Sequence, residues 1–184
     1  KNLIHEIKNS RRPVSLIGNG IKINDAEKEF KIFTEKFQIP VVYTTSAVDT
    51  YGSKNKLSIG SLGAQGCSRS GAFSIQNSDL ILVFGSRLNS LTTGPDFKKF
   101  GRHAKIIVID IEKKEHSKKS IKIDKLIETN IRLLLLELNK YKFQHHKKEW
   151  VNKCIYWKKL FSKSSVNKLY IDPKSKIDLM ELYE

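Results

Sequence analysis

The sequence has little sulfur, little proline and little negative charge. Of its 184 residues two are cysteines, Cys67 and Cys154, and one is methionine. Cysteines so far apart lack the paired spacing of a zinc site and are too few for a disulfide framework. A disulfide-stapled secreted scaffold is therefore excluded, and a reducing cytoplasm is the expected location. No apolar run approaches the length of a membrane span, and no segment resembles a signal peptide. Four prolines and ten glycines form no low-complexity linker, and there is no internal repeat. Acids are outnumbered: 34 Lys and Arg face 19 Asp and Glu, a net charge of +15. Such an excess can mark nucleic acid or an anionic membrane as partner. Here lysine far outnumbers arginine and few aromatics interleave with it, so solvated helix faces are favoured over a nucleic-acid surface. The densest stretch, Lys140 to Lys168, contains a single acid, Glu149, and also reads as one face of a helix.

Catalytic sets are missing too. No Ser or Cys lies in a nucleophile-elbow sequence, and there is no Walker loop and no cluster of paired carboxylates. The histidines (His5, His103, His116, His145 and His146) sit in polar segments. Adjacent histidines on a helix point in different directions, so His145 and His146 read as surface residues rather than metal ligands. No catalytic and no metal-binding residue is assigned.

What the chain does have is alternation of two patterns. "RPVSLIGNG" is a buried strand closing on a Gly-x-Gly turn near Gly18. "NDAEKEFKIFTEKF" is a helix with Ala26, Phe30, Phe33 and Phe37 on one face, and Asn24 with Glu27 resembles a capping box. After Pro40, "VVYTT" reads as a second strand, followed by a long loop from about Ser46 to Gly66. Cys67 to Asn77 reads as a helix, with Cys67, Gly71 and Ile75 recurring every four residues. "DLILVFG" and "AKIIVIDI" are strands with almost no polar alternation, as for strands covered on both faces. "IKIDKLI" is a shorter fifth strand. "NIRLLLLELNKY" is a helix capped by Asn130 with Ile131, Leu134, Leu135 and Leu138 on one face. A last helix, His145 to Phe161, carries Trp150, Cys154, Trp157 and Phe161 in a stripe. The pattern specifies an α/β fold: an open parallel sheet flanked by helices in three layers, of nucleotide-binding, Rossmann-like type. The chain opens inside a helix-like pattern (Leu3, Ile4, Ile7) without methionine. It closes with Pro173 starting an apolar stripe (Ile177, Leu179, Met180, Leu182), so a piece of a longer protein is expected.

Ligands of open parallel sheets bind past the carboxyl ends of the strands. Those ends are Gly18-Asn19-Gly20, Thr44-Thr45-Ser46, Gly85-Ser86-Arg87 and Asp110-Ile111-Glu112. The set suits a dinucleotide. Glycines let backbone N–H groups approach a pyrophosphate, Arg87 can fork onto phosphate, and Asp110 can accept from ribose hydroxyls. Each piece alone has an ordinary reading. The glycines can be a tight turn, Asp110 can cap the turn "EKKE", and Arg87 can pair with Asp96 or Asp110.

The order of elements resembles the central domain of the thiamine-diphosphate-dependent enzymes, of the acetolactate synthase branch. The carrying residues are "RPVSLIGNGI", "IPVVYTTSAV", "SIGSLGAQGCSRSGAFSIQNSDLILVFGSRLNSLTTG", "AKIIVIDIEKKE" and "KIDKLIETNIRLLLLEL", spanning Ser10 to Leu138. The resemblance implies a parent with three α/β domains. The first binds the pyrimidine of the cofactor and holds an activating glutamate. The third binds the diphosphate through magnesium. The middle one is a six-stranded parallel sheet that helps build a homodimer or homotetramer, and in acetolactate synthases it carries FAD. On this reading residues 1–10 link from an N-terminal domain and 11–141 form the central domain. Residues 142–170 are a helical connector, and 171–184 begin the C-terminal domain. The implied substrate is a 2-oxo acid, and thiamine diphosphate and magnesium belong to the parent. The chain contains neither the activating glutamate nor the magnesium-diphosphate motif, so alone it is expected to be inactive.

The implied ligand residues are Gly18, Asn19, Gly20, Thr44, Gly66, Gly85, Ser86, Arg87, Asp110 and Ile111, for FAD or another adenine nucleotide. The family pattern is kept in part. Gly18, Gly20, Thr44, Gly63, Gly66, Gly85, Arg87, Asp110 and Glu115 match. Asn19 replaces a glycine, Ser46 a methionine and Gln65 a histidine. Asn89 and Leu91 replace an aspartate and a second arginine, and Thr129-Asn130 replaces Gly-Asp. An FAD site and an unfilled cleft both stay open. Two rivals remain: a stand-alone FAD- or NAD-binding module, whose sirtuin version lacks its zinc cysteines, and last a lysine-rich nucleic-acid binder.

Overall fold

The computed structural model describes residues 2–64, 66–117, 120–142 and 147–162. His145, His146 and the segment from Pro173 onward lie outside them. In chain order the elements are α1 (Asn2–Asn9), β1 (Pro13–Ile17), α2 (Gly20–Ile23), α3 (Glu27–Phe37), β2 (Val41–Thr44), β3 (Ser58–Leu62) and α4 (Arg69–Asn77). They continue with β4 (Leu80–Phe84), α5 (Ser90–Thr93), β5 (Lys105–Asp110), β6 (Lys125–Glu128), α6 (Ile131–Lys140) and α7 (Lys148–Leu160). The strands make one sheet in the order β3-β2-β1-β4-β5-β6, and every neighbouring pair is parallel.

The missing polar alternation follows from this arrangement. In β4, Leu80, Leu82 and Phe84 face one apolar layer while Ile81 and Val83 face the other. In β5, Ile107 and Ile109 join the first layer, and Ile106 and Val108 the second. The first layer is closed by α1, α3 and α6 through Ile7, Phe30, Phe33, Leu135 and Leu138. Phe30 and Phe33 meet Phe84 edge-on at 5.3 and 5.7 Å between ring centroids, a favoured aromatic geometry. The second layer is closed by α4 and α7 through Ile75, Trp150, Cys154 and Trp157. The Trp150 indole N–H donates to Pro13 O at 2.9 Å, which fixes α7 across the sheet.

Several sequence expectations need correction. The stretch from Ser46 to Gly66 is not a continuous loop, because β3 lies inside it at the sheet edge. Its serines and glycine hide a strand that α4 covers closely. Ser70 Oγ donates to Ile59 O, and a Cβ on Gly71 would lie 2.4 Å from Ser61 O. Asn24 does not cap α3: its Nδ2 donates back to Gly20 O, and Ala26 is the N-terminal flanking residue without a side-chain cap. Cys67 is exposed and lies outside α4, which Ser68 caps. Asn130 caps α6 as expected, accepting from Leu133 N.

One carboxylate ties the start of β1 to the start of β4. Asp79 accepts from Ser10 Oγ at 2.6 Å, Arg11 N at 2.8 Å and Arg12 N at 2.9 Å. Burial pushes its pKa up, but these bonds outweigh that and leave it below the ordinary value. A depressed carboxylate contributes stability that is whole above the unfolded value of about 3.9 and is lost as pH falls through the folded one. Asp79→Ala should cost on the order of 1–3 kcal/mol at neutral pH. In thermal unfolding, the gap between variant and wild type should narrow below about pH 4.

Candidate functional site

The chain leaves β1 toward β2 on one side of the sheet and leaves β4 toward β5 on the other. Where adjacent strands send their connections in opposite directions, the turns diverge and a crevice opens at the carboxyl ends. Here that crevice is a cleft of about 470 Å³ between the β1, β2, β4 and β5 turns. Its size falls within the range of roughly 300–1,000 Å³ usual for small-molecule sites.

The floor of the cleft is a contact between two backbones. Gly18 N donates to Phe84 O at 2.9 Å, and Gly20 N donates to Gly85 O at 3.0 Å. A Cβ on Gly18 would lie 2.3 Å from Gly85 O, and one on Gly20 would lie 2.5 Å from Gly85 Cα. Gly85 itself has φ +58, with its Cβ position 2.5 Å from Gly20 Cα. The glycines are thus required by chain-to-chain approach. Their amides are spent on protein carbonyls, so the Gly-x-Gly turn does not offer these two N–H groups to a pyrophosphate.

Nine of the ten expected residues line this cleft: Gly18, Asn19, Gly20, Thr44 and Gly85, with Ser86, Arg87, Asp110 and Ile111. Gly66 is not among them. Its carbonyl accepts from Ser61 Oγ in the β3–α4 connection. Asn19 flanks α2 without a side-chain capping bond. Thr44 is buried, with its hydroxyl 3.1 Å from Ser46 Oγ. Ser86 is buried at the base, while the Arg87 side chain is 74% exposed. Arg87 Nε lies 3.6 Å from Glu115 Oε2, so its ion pair is with Glu115 rather than with Asp96 or Asp110. Asp96 pairs with Lys99 instead.

Asp110 serves the protein's own turn. Its Oδ1 accepts from Glu112 N at 3.0 Å, and its Oδ2 lies 3.3 Å from His116 Nε2. The His116 side chain is only 1% exposed. Burial raises the Asp110 pKa, but the His116 ring and the Glu112 amide outweigh it and hold the carboxyl below its ordinary value. Sequence reasoning missed Ile23 and Ile131 in the lining, and missed His116 behind Asp110. Ile23 carried a signal, because it follows the first glycine turn by one helical turn. The capping reading of Asp110 did not identify His116. Leu88, next to Arg87, is 3% exposed and has φ +48, a left-handed conformation uncommon for leucine. Burying this side chain bends the turn so that its neighbour Arg87 stands at the cleft.

Residues 1–138 match the family described as thiamine pyrophosphate enzyme, central domain. The chain belongs to this family. Acetolactate synthase large subunit from Corynebacterium glutamicum is 37% identical over 109 residues, covering 59% of this chain and 17% of that protein. The large subunit from Lactococcus lactis is 29% identical over 159 residues, covering 81% of this chain and 26% of that protein. A solved enzyme from Mycobacterium smegmatis, described as thiamin diphosphate-dependent, superposes with a TM-score of 0.65 at 14% identity. That match covers 78% of this chain and 27% of the other. The chain therefore spans about a sixth to a quarter of the length of these relatives. It is a thiamine-diphosphate-enzyme central domain of acetolactate synthase-like type. Nothing in these matches supports the stand-alone FAD or NAD module.

Cofactor fit can be judged from the side chains of this central domain. Among the described residues no group of three or more His, Cys, Asp or Glu could hold a metal ion. An adenine nucleotide fits the cleft by volume and by the donors of Asn19, Ser86 and Arg87, although not by a glycine-amide cradle. No described helix is long and apolar enough to cross a membrane. Gly85→Ala would place an alanine at φ +58 against Gly20. It should destabilise by at least about 1–2 kcal/mol from backbone strain alone. Chemical denaturation of the variant measures this, and equal stability would show that the two turns can separate freely.

Proposed function

We propose that the parent protein forms or breaks carbon–carbon bonds at 2-oxo acids, and that this chain is its structural, nucleotide-cleft domain. The match over residues 1–138 carries this reading. When bound, thiamine diphosphate supplies a nucleophilic carbon and an electron sink for decarboxylation. On this reading it is held with magnesium by two further domains, one on the amino-terminal side of this chain and one that begins after residue 170. The segment 142–170, which contains α7, connects to the latter. Assembly as a homodimer or homotetramer in the cytoplasm completes the proposal. The role of this chain's own residues is to hold those domains apart at a fixed geometry.

Within that role, the strand-end cleft accepts an adenine nucleotide such as FAD or ADP. Arg87 faces its phosphate, and Asn19 and Ser86 donate hydrogen bonds. Glu115 competes for the same guanidinium, and Leu91 stands where the family pattern has a second arginine, so binding is weaker than in a two-arginine site. Titration of the purified chain with ADP and with FAD by calorimetry tests this. Arg87→Ala should weaken binding roughly ten- to a hundred-fold, the worth of a charge-assisted bond. An unchanged affinity would make Arg87 a structural residue.

The purified 184-residue chain, supplied with pyruvate, thiamine diphosphate and magnesium, should form no acetolactate. Detectable product would overturn the assignment of the chemistry to other domains.

A further inference from the structure

The amino-terminal end of the sheet carries a second concavity, far from the strand-end cleft in the fold. There the last turn of α1 and the loop Ser10–Arg12 face the first turns of α7 across an open cleft of about 580 Å³. Its lining includes the cations Lys8, Arg11, Arg12, Lys147 and Lys153, with Glu149 as the one acid among the described residues. Lys8, Arg11 and Lys153 are exposed. Lys153 lies over the Trp157 ring, 5.7 Å from its centroid, and Arg12 donates from Nε to Asn77 O. The nearby acid Asp79 already accepts from Ser10 Oγ and from the Arg11 and Arg12 amides, so its oxygens are committed to the loop.

Lys147 forms part of the wall at 5% exposure and donates from Nζ to Ile7 O. Burial holds its pKa down to about 8, opposed by the charge of Asp79. A cation held in such a place gains from a neighbouring anion. The cleft also receives the start of α7, which has no side-chain cap, so its first-turn amides lack intrahelical acceptors.

We propose that this basic cleft binds a small, multiply charged phosphate anion, either a polyphosphate or a phosphate ester. The inference rests on charge and shape and is independent of the 2-oxo acid reading. A nucleic-acid strand suits the site less well. The cations converge on one concavity from two segments instead of following a track. Among the described residues the one aromatic in the lining, Trp150, is 6% exposed, with its N–H given to Pro13 O, so it offers no stacking platform.

The test is titration of the chain with inorganic tripolyphosphate at low salt, followed by calorimetry and by amide shifts in a ¹⁵N NMR spectrum. Shifts should centre on residues 8–12 and 147–153, and affinity should fall as salt rises. The double variant Lys8→Glu, Lys153→Glu should bind about tenfold more weakly or worse, from losing two attractive charges and gaining two repulsive ones. The milder Lys153→Gln should bind roughly two- to fivefold more weakly, and thermal unfolding of both confirms that they fold. The proposal is overturned by no binding at millimolar tripolyphosphate, or by equal affinity in the folded double variant. It is also overturned by shifts confined to the strand-end cleft, or by a single-stranded oligonucleotide that binds more tightly than tripolyphosphate.

Discussion

The constraint on which the cleft depends is a close approach between two backbone turns, Gly18–Gly20 and Gly85. The β1 and β4 turns touch so tightly that no side chain fits at either glycine or opposite them. Their two hydrogen bonds extend the β1–β4 pairing beyond the last strand residues, Ile17 and Phe84. The divergence of the connections, and hence the cleft, starts from that point. Had the turns stood further apart, α2 and the turn carrying Arg87 would not share a wall. The same contact consumes donors that a glycine-rich phosphate loop would normally offer, so packing and recognition compete for the same amides.

This competition explains what was legible in the sequence. The strands β4 and β5 were readable because burial on both faces demands uninterrupted apolar residues, and "LILVF" and "IIVID" satisfy that demand locally. The helices α3 and α6 were readable from Phe30, Phe33 and Phe37 and from Ile131, Leu135 and Leu138. Strand β3 was not, because its burial against α4 is achieved by subtraction. Gly60 and Gly71 remove side chains and serines fill the seam, a composition that reads as loop. At the strand ends the residues were identified but their partners were not. No local pattern says that Arg87 meets Glu115 or that His116 lies behind Asp110, since both pairings depend on how the turn after β5 folds back.

Charge is distributed with a similar asymmetry. Several acids work as anchors between elements. Glu6 pairs with Lys105 at 2.6 Å, and Glu29, nearly buried, pairs with Arg132 at 3.2 Å between α3 and α6. Exposed pairs such as Lys140–Glu137 contribute little, because solvent screens them. With so many acids committed to holding elements together, the surplus of lysine and arginine is left at the surface. It becomes concentrated where α1 and α7 converge.

The two cysteines end up in opposite circumstances. Cys67 is exposed, whereas Cys154 is fully buried in the same apolar layer as Trp150 and Trp157, and burial pushes its thiol up to about 12. Only a thiolate reacts readily with electrophiles. The folded chain therefore presents one sulfur to a labelling reagent and withholds the other. Uptake of a second label would register the detachment of α7 from the sheet. A sequence so poor in cysteine thereby carries its own gauge of whether α7 is docked.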